Sequence, residues 1–114
     1  MKHRVDISRG IKLGAHHYPI KADKATGERL KEGSFYGRCY HTEHKILVDR
    51  DLPESKFNET VLHEIVEAVN SLYCNGGITH RNIVCLSNGL TQALSSLDIT
   101  FTHKERERKN ATNS

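Results

Sequence analysis

The feature that most constrains this chain is a run of apolar residues at helical spacing, interrupted once. Leu62, Ile65, Val66, Val69, Leu72 and Tyr73 recur at steps of three, one, three, three and one. That is the pattern of an amphipathic helix. Helix character begins near Ser55 and is firm by Glu59. Asn75-Gly76-Gly77 ends it, because glycine tolerates the left-handed conformation of a helix cap. Thr79 is placed to cap a second helix. Its stripe is Ile83, Leu86, Leu90, Ala93, Leu94 and Leu97. A link this short makes the two helices antiparallel neighbours, with their stripes facing each other and a small sheet.

The sheet is sought upstream. Residues 1–50 read as strands and turns. "SFYGRCYH" and "HKILVDRD" are the strongest strands and lie close enough to form a hairpin across His41-Thr42-Glu43-His44. Gly37 marks a bulge or a close backbone approach. Leu47 blurs the alternation of Ile46 and Val48 with Lys45 and Asp49. "KATGERLKEG", with Gly27 and Gly33, reads as a loop or hairpin connection. "DITFTH" reads as a short strand or an extended segment, and disorder is expected from His103 onward. The expectation is therefore an α+β domain over residues 1–102, a small N-terminal antiparallel sheet followed by two antiparallel helices. Residues 103–114 are expected to be a disordered basic tail.

Bulk properties narrow the function classes. A chain of 114 residues is one domain of ordinary size. It contains no run of 18 apolar residues, so a membrane partner is not expected. "MKHRVDISRG" lacks the apolar stretch of a signal peptide, which points to the cytoplasm. Cys39, Cys74 and Cys85 are an odd number with no C-x-x-C pair. They fit small semi-buried residues in a reducing compartment better than disulfides or metal ligands. The net charge of +3 is concentrated in "HKERERKN". No clustered basic face appears, which argues against nucleic acid as the partner.

The chemistry lies in "TVLHEIVEAVN". His63-Glu64-Ile65-Val66 begins like the zinc-hydrolase helix motif His-Glu-x-x-His, but the fifth position is Glu67. Residues four apart on a helix point within about 40° of each other. His63 and Glu67 therefore share a flank of the apolar stripe, where one nitrogen and one oxygen can hold a divalent ion. Glu64 points elsewhere and is placed to take a proton from water. A catalytic zinc needs a third protein ligand and an open position. His80 is the leading candidate, provided the "CNGGIT" link packs back. His41 and His44 are its rivals, and each histidine could instead support a ligand from behind. Asn70 lies on the His63 flank and could orient a ligand. Tyr36 could donate to a developing oxyanion. A solvated His–Glu pair on a helix surface is the plain alternative to a metal site.

Together these segments resemble a family. "ETVLHEIVEAVN", then a Gly-rich break and "ITHRNIVCLSNGLTQAL", is similar to small zincin-like metallopeptidases encoded by bacteriophages and prophages. "YGRCYHTEHKILVDRDL" is similar to their strand hairpin. The resemblance covers roughly residues 35 to 101. It implies a minimal zincin-like fold, with His63 as metal ligand, Glu64 as general base, Glu67 as ligand by substitution and His80 as third ligand. It implies a metal-dependent hydrolase of peptidase type, using Zn2+ or another divalent metal such as Mn2+, acting on a protein or peptide in the host cytoplasm. Glu67 departs from the imidazole many members carry, and carboxylate ligation suits manganese or magnesium better than imidazole does. The other expectation is a non-enzymatic phage accessory protein that binds a host protein and keeps a structural or vestigial metal site. A homodimer would be one way to complete a core this small.

Overall fold

The computed structural model describes residues 2–113. It is a compact α+β domain with small sheets and four helices. In chain order the elements are β1 (His3–Asp6), β2 (Ile11–Leu13), β3 (His16–Tyr18), β4 (Ile20–Lys21), α1 (Lys24–Glu32), β5 (Gly37–Tyr40), β6 (Lys45–Val48), α2 (Glu54–Tyr73), α3 (His80–Ser96), β7 (Ile99–Thr102) and α4 (Lys104–Asn113). Among the described residues no helix is long and apolar enough to cross a membrane.

The strands do not form one N-terminal antiparallel sheet. β5 and β6 make the expected antiparallel hairpin, with Gly37 opposite Val48 and Tyr40 opposite Lys45. β4, however, pairs with the other edge of β6 in parallel. β6 is thus a central strand, and Ile46, Leu47 and Val48 are all buried. A strand covered on both faces has no polar side to alternate with, which is why Leu47 blurred the period. β2 and β3 form a separate antiparallel hairpin. β1 pairs in parallel with β7, the one strand downstream of the long helices.

Residues 24–32 are a helix rather than a loop. Asp23 caps α1, its carboxylate accepting the Thr26 amide at 3.3 Å, and Leu30 is buried. Gly27 reads as a turn residue, yet here it serves packing: a Cβ at this position would lie 3.2 Å from Asp49 Oδ1. Helix α1 can lie against the end of β6 because that side chain is absent.

The segment from His103 is likewise a correction. It forms α4 instead of a disordered tail, and only Ser114 lies outside the described residues. Its polar composition gives it no apolar face, so its anchors are charged and polar groups. His103 is buried. Its Nδ1 accepts the Glu105 amide at 3.1 Å, which leaves Nε2 to donate to Ile20 O at 2.8 Å. Arg106 donates to Arg50 O at 2.8 Å and Leu52 O at 2.5 Å, with its guanidinium 4.4 Å over the Phe57 ring. Lys109 reaches Asp51 at 2.7 Å.

The core gathers Ile7, Tyr18, Ile20, Ile46, Val48, Leu52, Phe57, Val61 and Ala68. The deepest face of α2 is Phe57, Val61, Glu64 and Ala68, at steps of four, three and four. Ile65 and Leu72 pack at its edge. Helix α3 returns along α2 as expected, so that Ser95 meets the start of α2 and His80 meets its middle. Its rotation differs from expectation. Ile83 and Ser87 are buried, while Leu86, Leu90 and Leu97 are exposed at 48%, 46% and 65%. Burying Ser87 costs little because its hydroxyl donates to Ile83 O at 2.8 Å.

Candidate metal centre

Three side chains from two helices converge at the middle of α2. The helix places His63 and Glu67 one turn apart on the same side, both half-buried. His80 is the first residue of α3, exposed, behind a Thr79 hydroxyl that accepts the Asn82 amide at 3.2 Å. One donor atom from each of His63, Glu67 and His80 lies within 4.8 Å of the other two. The His63 and His80 rings meet edge to face, with centroids 5.4 Å apart.

The link between the helices makes this convergence possible. Asn75 and Gly76 both take positive φ, at 50° and 70°, and turn the chain sharply. Asn70 then staples the far side of the turn to α2. Its Oδ1 accepts the Ile78 amide at 2.9 Å and its Nδ2 donates to Ile78 O at 3.1 Å. Asn70 O also accepts from the Cys74 and Gly76 amides. The link packs back because Asn70 closes it, and His80 is carried over His63. Asn70 therefore acts on the loop that carries His80, and it is 8% exposed.

Neither His41 nor His44, the rival ligands, joins the donor cluster. His44 stacks on His16 at 4.1 Å between centroids. His41 approaches the cluster from outside, with Nε2 3.9 Å from Glu67 Oε2.

Glu64 lies on the buried face of α2, under β5. The strand passes so close that a Cβ on Gly37 would lie 3.1 Å from Glu64 Oε2 and 2.6 Å from Thr60 Cγ2. The glycine is thus a close backbone approach, one of the two readings its position offered. Burial pushes the Glu64 carboxyl up to about 8, and the Glu67 carboxylate adds to the rise. Burial lowers the affinity of His63 for a proton, partly opposed by Glu67 and reinforced by His80. His63 is held in the neutral form that can ligate a metal. The Cys39 thiol is pushed up to about 12 by burial and by the carboxylates of Glu64 and Glu67. In the metal-free protein it stays protonated.

A cleft of about 310 Å³ opens beside His63 and Glu64. Phe35 and Tyr36 form one wall, Lys56 and Val84 others. Tyr36 is 57% exposed at the mouth, its ring beneath Lys56 Nζ at 4.9 Å. Nothing in its spacing upstream signalled this wall. The exposed Phe-Tyr pair follows Ser34, held at φ 60°, which turns the chain out of α1.

The donor set is two imidazole nitrogens and one carboxylate oxygen. Zinc accepts both ligand types, and three protein ligands leave a position open. The residues present therefore fit a divalent ion. Comparison with family models, curated proteins and solved structures finds no match to this chain.

Proposed function

We propose that this protein is a metal-dependent hydrolase of peptidase type, built as a minimal zincin-like domain. The observation that carries the reading is the meeting of His63, Glu67 and His80 within 4.8 Å beside a buried Glu64. His63, Glu67 and His80 would hold the ion, Zn2+ or another divalent metal such as Mn2+. The ion supplies Lewis acidity, polarising a carbonyl and making water more acidic. Glu64 is the general base. Beside a bound cation its carboxyl would be ionised, and the proton affinity that burial raises would let that carboxylate take a proton from water and return it to a leaving amine. The neutral His63 ring and the Glu67 carboxylate supply lone pairs, and Asn70 keeps His80 in reach. Phe35, Tyr36 and Val84 shield the cleft and offer an apolar wall to a protein or peptide substrate. The resemblance of "HEIVEA" and the later "ITHRN" to phage metallopeptidases supports the same reading.

Metal analysis tests it first. Purified protein should carry, or take up on titration, one divalent ion per chain. His63→Ala should abolish uptake. Glu64→Gln should keep uptake and fold while removing turnover. Absence of metal from the wild type after titration with zinc and manganese would sink the reading.

A second reading has an observation of its own. Leu86 and Leu90 on α3, and Leu97 just past its end, lie uncovered. Such a face suits a non-enzymatic phage accessory protein that binds a host protein through apolar contact. Under that reading the biological effect survives Glu64→Gln and is lost on changing the leucines.

A further inference from the structure

Strand β5 presents alternate residues to α2, as strand geometry requires. Gly37 lies against Glu64, Cys39 faces Glu64 and Glu67, and His41, just past the strand, reaches Glu67. One side of the strand thus follows the carboxylates of the helix. The last contact of the series falls on the residue that stands where the common motif has histidine.

That substitution creates a positional problem. A histidine ligand has two side-chain torsions and a planar ring, so packing fixes the direction of its lone pair. A glutamate has a third torsion and two equivalent oxygens. It binds a cation reproducibly only if something orients the carboxylate from behind. His41 Nε2 stands 3.9 Å from Glu67 Oε2, an ion-pair distance rather than a settled hydrogen bond. The other ring nitrogen is already engaged, with His41 Nδ1 3.7 Å from Cys39 Sγ. The thiol S–H can donate to Nδ1, and the ring proton then sits on Nε2, aimed at Glu67.

We infer that His41 is a positioning residue for Glu67, with Cys39 setting its tautomer. The inference rests on the reading in which His63, Glu67 and His80 hold a metal. His41 is not a ligand, because among the described residues only those three bring donors within 4.8 Å of one another. It directs its Nε2–H to one carboxylate oxygen and leaves the other for the cation. Two carboxylates crowd the same space, and a donor on Glu67 also draws charge away from Glu64.

The test measures zinc affinity against a competing chromophoric chelator, and the visible absorption of the cobalt-substituted protein. His41→Ala should weaken zinc binding by about 10- to 100-fold, the usual effect of losing a group that supports a ligand. It should also alter the cobalt bands while the metal-free protein melts unchanged, which a purely structural residue would not do. His41→Gln, whose amide can donate from nearly the same place, should restore part of the affinity. Wild-type affinity and an unchanged cobalt spectrum in His41→Ala would overturn the inference alone. Complete loss of binding, as in His63→Ala, would make His41 a ligand and overturn it too. Failure of the wild type to bind zinc or cobalt would instead remove the metal reading, and this inference with it.

Discussion

Asn70 and Ile78 are joined by a pair of hydrogen bonds between one side-chain amide and one peptide unit, at 2.9 and 3.1 Å. The amide of Asn70 imitates a strand partner. It satisfies both backbone groups of the residue before the Thr79 cap, and it does so from the last turn of the helix that carries His63 and Glu67.

Replacing Asn70 should therefore affect stability and the site together. Asn70→Ala leaves the Ile78 N–H and C=O without their partner, at a cost of about 1–3 kcal/mol. The link then loosens and His80 drifts from His63. Thermal melts and zinc titration should both register the change. A variant that melts early but binds zinc as before would separate the staple from the site.

Glu64→Gln should behave differently. The amide keeps the shape of a carboxyl that burial already holds mostly protonated near neutral pH in the metal-free protein. Metal-free Glu64→Gln should melt no lower than the wild type, and hydrolysis should fall to background. Activity is thus separable from stability at this position.

Gly37→Ala tests the closeness of β5 to α2. The new methyl would sit 2.6 Å from Thr60 Cγ2 and 3.0 Å from Leu47 O. Overpacking of this kind costs about 1–3 kcal/mol. Chemical denaturation should show that loss. The double variant with Thr60→Ser, which removes the clashing methyl, should recover part of it.

Asp51 gives a pH prediction. Lys109 and Lys31 hold its carboxyl down to about 2, from an ordinary 3.8. A depressed carboxyl stabilises the folded state fully above the ordinary value, and the contribution disappears as pH falls from near 4 through about 2. The gap in unfolding midpoint between wild type and Asp51→Asn should be present at pH 7 and close by pH 2. The exposed side chain and salt screening keep the gap small, and added salt should narrow it at pH 7.

The parts of this molecule that could be read from the sequence are those built from local pattern. The spacing from Leu62 to Tyr73, the Asn75-Gly76-Gly77 stop and the Thr79 cap are all encoded within one or two helical turns. The same holds for the β5–β6 hairpin. His63, Glu67 and His80 could be singled out because an i, i+4 pair and a helix start are local features. Their convergence could not, since it depends on the Asn70 staple across the link. Helix α1 was hidden because Gly27 signals a turn, whereas here it makes room for Asp49. Helix α4 was hidden because its charges resemble a solvated tail. Their partners, Arg50 O, Leu52 O and Asp51, lie about fifty residues upstream. The outward turn of Leu86, Leu90 and Leu97 has the same origin. Periodicity placed Ile83 inward correctly but favoured the leucines over Ser87, which is buried in their stead.

The parallel pairing of β1 with β7 has a consequence for the order of assembly. His3 lies beside Ile99 and Asp6 beside Thr102, so this ladder joins residues almost a whole chain apart. During synthesis the first strand must wait, unpaired, until both long helices have emerged from the ribosome. The β5–β6 hairpin and the α2–α3 pair involve short loops and can form early, whereas the β1–β7 ladder pays its loop-closure entropy last. The nascent chain would thus hold a nearly finished centre before its two ends have met.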